Sequence, residues 1–333
     1  MNRDDYDELN NLIRDNYTGE TELTLKGEIL PYRTEVGFTV PQQNEGKVLI
    51  YMKGGSFLEN VEKDIGAFES LAFVIRRWTE FSKISLRWDN PYDLERHAPE
   101  HYQGFLYRVR RFSECYPWFS VDDSSNHLLG KLLIMSELEL LLDHPRDDAH
   151  KSFLSKPLDQ LNSNDFEEYI WSNQIALNEL IGTRELSRGL PLRVYIEDKP
   201  ANIYLFPKEY SMIDLWGLSN NSNILSIIKL KGFTSGSRLS IVSELLFNTM
   251  VMRDALRGLF IYSMDGRNIY KGRGQYFTIP NAGAINSYIL SRELPGLIDE
   301  ELIRDMNEIE SPDIPIKFGY ISIESKFNMM REF

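Results

Sequence analysis

An α/β protein in two parts is what this sequence predicts, on three observations. Short apolar strands such as Lys47–Met52 alternate with long stretches whose apolar residues recur at helical spacing. A strand, a polar turn, a second strand and a helix follow one another through Tyr210–Glu244. Between these regions, around 144–164, the chain reads HPRDDAH and then KPLDQLNSND, polar and proline-containing as a domain boundary is. The expected units are therefore 1–150, an α/β module, and 160–333, a mixed sheet flanked by helices.

The elements follow in order. Residues 1–18 read as a helix with Leu9, Leu12 and Ile13 on its apolar side, and 21–40 as a hairpin around Pro31. After the 47–52 strand, Gly54-Gly55-Ser56 leads into a helix over 57–82. It carries Phe57, Val61, Ile65, Phe68, Leu71, Ala72, Ile75 and Trp78 on one face. A strand at 84–88, a helix at 101–118 and an apolar helix at 127–143 complete the first unit. In the second, Asn164 or Asp165 caps a helix over 166–181. Gly189 and Pro191 are expected to break the chain before a strand at 192–198, and 202–206 reads as a further strand. A helix over 240–257, a strand at 259–263, a helix at 299–309 and a closing strand at 319–325 follow the central hairpin.

Composition narrows the function. The net charge of −13 opposes general nucleic-acid binding through long-range repulsion, so any phosphate contact has to be local. No stretch of eighteen apolar residues occurs, and the acidic start MNRDDYDELNN is unlike a secretory signal. A single cysteine, Cys115, rules out an internal disulfide and a cysteine zinc cluster and suits a reducing cytoplasm.

The chemistry gathers in Tyr210–Glu244. A hairpin brings the end of its second strand beside the start of its first, so Asp214 is expected near Lys229 and Lys231. Lysines two residues apart on a strand share a face. Glu244 lies on the helix that follows. The bland alternative is a solvated strand end and a solvent-facing helix acid.

The succession helix, strand, strand with an acid, turn, strand ending in a lysine, helix, strand resembles the core of the restriction-endonuclease-like nucleases. That superfamily is named for its PD-(D/E)xK motif. Asp214 matches the metal-binding aspartate and Lys231 the motif lysine, over about 165–265. The position two before the lysine holds Asp or Glu in that motif, and here it is Lys229. The resemblance implies Mg²⁺ bound by two carboxylates, hydrolysis of nucleic-acid phosphodiesters with DNA as the expected substrate, and a cytoplasmic role in antiviral defence. Asp214 and Glu244 are the implied metal ligands, and Asp214, Lys229, Lys231 and Glu244 the implied catalytic set. Glu167 and Glu168 stand where a first-helix acid sometimes occurs in the superfamily.

Lys229 divides the readings. Two unit charges about 4 Å apart repel by roughly 4 kcal/mol at an effective dielectric constant near 20, and a divalent ion doubles that. Either Lys229 swings away and Glu244 supplies the second acid, or two lysines bind phosphate without metal, or the fold is a degenerate scaffold. The alternative to a nuclease is thus an inactive nuclease-fold module that binds nucleic acid or a protein partner. Residues 1–150 offer a place for a partner or a second copy.

Other motifs compete. Arg253, Arg257, Arg267, Lys271 and Arg273, with Tyr270 and Tyr276 interleaved, make the strongest local candidate for phosphate contact. Glu197 and Lys199 with Asp165, and Asp313 with Glu324 and Lys326, fit the nuclease pattern less well in spacing. His97 and His101 flank Pro99, and Asp143, His144, Asp147, Asp148 and His150 cluster in a polar turn.

Overall fold

The computed structural model describes residues 3–16, 36–39, 47–53, 55–59, 61–89, 99–131, 138–142, 163–196, 211–231, 239–263, 279, 281–292, 294, 296–323 and 327–330. The expected strand at 202–206 and the hairpin residues 21–35 lie outside them.

The first half builds a small sheet with three parallel strands. Helix α1 (Arg3–Asn16) buries Leu9 and Ile13, as its spacing predicts. Strands β1 (Val36–Thr39) and β2 (Lys47–Met52) pair antiparallel. Helix α2 (Phe68–Trp78) then crosses to β3 (Lys83–Trp88), and α3 (Pro99–Cys115) crosses to β4 (Phe119–Val121). Strands β2, β3 and β4 are parallel, in the order β1-β2-β3-β4. Helix α2 is shorter than the expected 57–82, because two 3-10 turns, Ser56–Leu58 and Asp64–Gly66, precede it. Their polar groups are used elsewhere: the Gly66 carbonyl accepts from Arg108 and the Asp64 carboxylate from the Ser240 N–H. The short helix α4 (Asp123–Asn126) is capped by Asp122, whose Oδ1 accepts from the Ser124 N–H at 3.1 Å.

The expected helix over 127–143 is a 3-10 turn, His127–Lys131, followed by strand β5 (Leu138–Leu142). Leu138, Leu140 and Leu142 pair with Ile196, Val194 and Leu192 of a long strand in the second half. The run LELLL fits either period, and sheet pairing decides it. Helices α5 (Ser163–Ser172) and α6 (Gln174–Ile181) replace one expected helix. Asn173 separates them, its side chain donating to the Tyr169 carbonyl at 2.8 Å.

Strand β6 (Thr183–Ile196) runs through Gly189 and Pro191, which were expected to break the chain before a strand starting at 192. It pairs antiparallel with β7 (Ser211–Ser219), and β7 with β8 (Ile224–Leu230). Helix α7 (Ser240–Leu256) follows, then β9 (Ile261–Ser263) and β10 (Ala284–Ser291), then α8 (Glu300–Met306), β11 (Ile316–Ile323) and β12 (Phe327–Met330). Strand β10 lies parallel between β8 and β11. The full order is β12-β11-β10-β8-β7-β6-β5-β9, a mixed eight-stranded sheet. Gly217 permits its close approach of β6 to β7, since a Cβ there would meet the Glu185 carbonyl at 2.7 Å.

Both faces of this sheet are covered, so its central strands read as continuous apolar runs. Leu215 and Ile228 join Phe166, Ile170 and Leu177 of α5 and α6. Trp216 and Ile227, on the opposite face, join α7 in a core that also takes in Ile50, Phe68, Leu106 and Ile303. That core spans both sheets, and β5 belongs to the larger one. Strand β5, from the first expected unit, thus lies in the larger sheet, and the boundary expected near 150 lies outside the described residues. Residues 143–162 are outside the described set. No helix among the described residues is long and apolar enough to cross a membrane.

Candidate functional site

Asp214, Lys229 and Glu244 meet where the ends of β7 and β8 face the first turns of α7. Lys229 Nζ is 3.2 Å from Asp214 Oδ1 and 2.9 Å from Glu244 Oε2. The two carboxylates are no further apart than those distances combined. The second Asp214 oxygen accepts from the Leu230 N–H at 2.7 Å, which fixes the carboxylate plane. The three side chains are 22%, 16% and 12% exposed, so the cluster is largely withdrawn from water. Lys231 follows β8 directly, and its backbone N–H donates to the Leu290 carbonyl at 3.0 Å.

Neighbouring elements hold α7 in place. The Ser240 N–H donates to Asp64 Oδ1 at 2.9 Å, and the Ser243 N–H to Ser70 Oγ at 3.0 Å. Strand β6 approaches Asp214 from the other side. Its register, Arg188 with Leu215 and Leu190 with Ile213, sets Gly189 opposite Asp214, and Gly189 takes a left-handed φ of 49°.

Burial works against the charge on Lys229, but Asp214 and then Glu244 outweigh it, so the ammonium is held above the ordinary lysine value. Burial pushes Glu244 up; Lys229 opposes this, while Asp214 and Glu62 add to it. Lys229 has thus not swung away. It stands between the two acids, where a shared metal ion would.

The implied Mg²⁺ does not fit this arrangement. A divalent ion in contact with both carboxylates would lie within about 4 Å of the ammonium, a repulsion of roughly 8 kcal/mol at an effective dielectric constant near 20. Among the described residues no group of three or more His, Cys, Asp or Glu is placed to hold a metal.

The basic set fares differently from expectation. Arg253 is only 3% exposed and points inward, so it cannot reach a phosphate. Its Nε and Nη2 donate to Asp254 Oδ1 at 3.1 and 2.9 Å, and its Nη1 to Cys115 Sγ at 2.8 Å. Arg257 is at the surface, in an ion pair with Asp313 at 2.8 Å. Arg267, Lys271 and Arg273 lie outside the described residues, as do Tyr270, Tyr276, Glu197, Lys199, Glu324, Lys326, His97 and the 143–150 cluster. Glu168 accepts from Arg188 Nη1 at 2.8 Å, which ties α5 to β6.

Sequence reasoning missed a buried ionic network between α3 and α7. Asp254, fully buried, accepts from Tyr107 Oη at 2.8 Å, from Arg111 Nε at 2.6 Å, and from Arg253. Arg108 donates to Glu69 and to the Gly66 carbonyl nearby. The available signal was an adjacent Arg-Asp pair inside an otherwise apolar helix, where charges survive only when paired.

Comparison with family models found no match, and comparisons with curated proteins and solved structures found no significant one.

Proposed function

We propose that the chain carries a restriction-endonuclease-like module that binds nucleic acid without cleaving it. The observation that carries this reading is the Lys229 ammonium, shared by Asp214 at 3.2 Å and Glu244 at 2.9 Å. The nuclease resemblance is supported by the order of elements: helices α5 and α6, the antiparallel run β6, β7 and β8, helix α7, and β10 parallel beside β8. Nucleic acid as the partner is supported by Lys231 at the end of β8 and by the sequence run with Arg267, Lys271 and Arg273. Such cations neutralise phosphates, and interleaved tyrosines stack on bases. A cytoplasmic setting and antiviral defence accompany the resemblance.

The test pairs binding with cleavage. Labelled DNA and RNA, single- and double-stranded, are followed by fluorescence anisotropy at low and high salt, and the same mixtures with Mg²⁺ are run on denaturing gels. Salt-sensitive binding with intact strands is expected. Absence of binding to every strand at low salt overturns the nucleic-acid reading. Cleavage by wild type that Asp214→Ala abolishes overturns the closed site. The second reading, Mg²⁺-dependent hydrolysis, is favoured by one fact: Asp214 and Glu244 already share a single cation.

A further inference from the structure

A carboxylate pair in a nuclease-like fold without room for a metal calls for an account of what holds it together. Three elements meet at one nitrogen. Asp214 comes from β7, Lys229 from β8 and Glu244 from α7, with Lys229 Nζ 3.2 Å from the first acid and 2.9 Å from the second. Without that nitrogen, two largely buried carboxylates would face one another, with the Leu230 N–H on Asp214 Oδ2 as compensation among the described residues. We propose that Lys229 is a tethered structural cation. It does for this pair what a bound divalent ion would do, clamping α7 to β7 and β8, and it keeps the site closed to metal.

The inference deepens the reading above and rests on it for the comparison with a metal site. An ammonium is compact and offers three donors, enough to reach two acids on different elements. Being covalently attached, it needs no ion from solution, so the clamp is independent of metal supply. A divalent ion, by contrast, draws six or more oxygen ligands around itself. The described residues bring two carboxylates to Lys229, short of such a shell. Removing the Lys229 side chain leaves a cation-sized gap between two acids, so the variant should accept a small divalent ion that the wild type refuses.

The full chain is melted as wild type, Lys229→Ala, and Lys229→Ala with Glu244→Gln, in chelator and in saturating Mn²⁺ or Ca²⁺. Wild type is expected to melt at one temperature in all conditions. Lys229→Ala is expected roughly 5–10 °C lower in chelator, with a saturable recovery in Mn²⁺ that the double variant lacks. A wild type that gains stability in Mn²⁺ as the variant does overturns the proposal. So does a folded Lys229→Ala that answers no divalent ion, or that melts where the wild type does. If Lys229→Ala does not fold in any condition, calorimetric titration of Mn²⁺ into wild type and Asp214→Asn decides. Uptake by wild type that Asp214→Asn removes overturns the proposal, and its absence supports it. Failure of nucleic-acid binding would leave these melting responses unchanged, so the two readings fail separately.

Discussion

Ser70 and Ser243, 173 residues apart, each accept the other's backbone N–H. Ser70 N donates to Ser243 Oγ at 3.1 Å and Ser243 N to Ser70 Oγ at 3.0 Å, while the two hydroxyls lie 2.8 Å apart. Two helix N-terminal turns, of α2 and α7, thereby satisfy each other's orphan donors where no water reaches. Replacing either serine by alanine leaves a buried N–H without its acceptor, at a cost of about 1–3 kcal/mol. The double variant is expected to lose less than the two single losses combined, because the hydroxyl pair is lost only once. Urea unfolding of the four proteins measures the coupling.

Lys229 gives the stability a pH signature. Its folded pKa lies above its unfolded one, so its contribution is fully present below the unfolded value, about 10.4, and fades as pH rises beyond it. Lys229→Met should cost about 3–5 kcal/mol through neutral pH, since it strands two acids. The gap between the two proteins should narrow only in strongly alkaline solution. Denaturant midpoints taken from neutral pH upward check this, and a gap that closes near neutrality would contradict it.

Glu244 carries the same sign in a lower pH window. Its folded value is raised, chiefly by burial, so the fold favours the protonated form. The stability owed to this group is greatest below its unfolded value, about 4.3, and declines as pH climbs through the folded one. Glu244→Gln should remove that slope, leaving a variant whose stability relative to wild type improves as pH rises across this acid window.

Asp254 and Arg257 make a controlled contrast. Asp254 is fully buried and accepts from Tyr107, Arg111 and Arg253. Asp254→Ala takes the buried acid from Arg253 and leaves Arg111 with Glu114 at the rim, and should cost about 3–5 kcal/mol. Arg257 pairs with Asp313 at the surface, and Arg257→Ala should cost about 0–1 kcal/mol. Thermal and urea unfolding rank the two.

Cys115 is fully buried, and burial pushes its thiol above the usual range although Arg253 pulls the other way. It should resist thiol reagents in the native chain and react only as the chain unfolds. A thiol-labelling time course that tracks the loss of tryptophan signal in urea is the expected result. Fast labelling of native protein would contradict the burial.

The central hairpin was legible in sequence because Ser219–Asn223 is a turn-forming cluster set between two apolar runs. The approach of Asp214 to Lys229 was legible too, since the hairpin sets the end of β8 beside the start of β7. Strand β10 was not legible. AINSYILS places serine at a buried position, and Ser287 is accommodated only because its hydroxyl meets that of Thr249 at 2.7 Å. Strand β5 was misread because LELLL carries no period of its own until β6 lies beside it. The pairing of Lys229 with Glu244 depended on how α7 docks, which no local spacing encodes. The Asp254 network joins residues up to 147 positions apart, so sequence offered only a charged pair in an apolar setting.

Helix α7 is enclosed almost all round: from Ser240 to Ala255 only Glu244 is not buried. Its partners enter the nascent chain at different times. The α2 surface is made well before α7, and β10 only after a further stretch of synthesis. The helix therefore leaves the ribosome with one flank able to dock and the other bare. Completion of this fold waits on the last third of translation, and in that interval the exposed flank is a natural client for a chaperone.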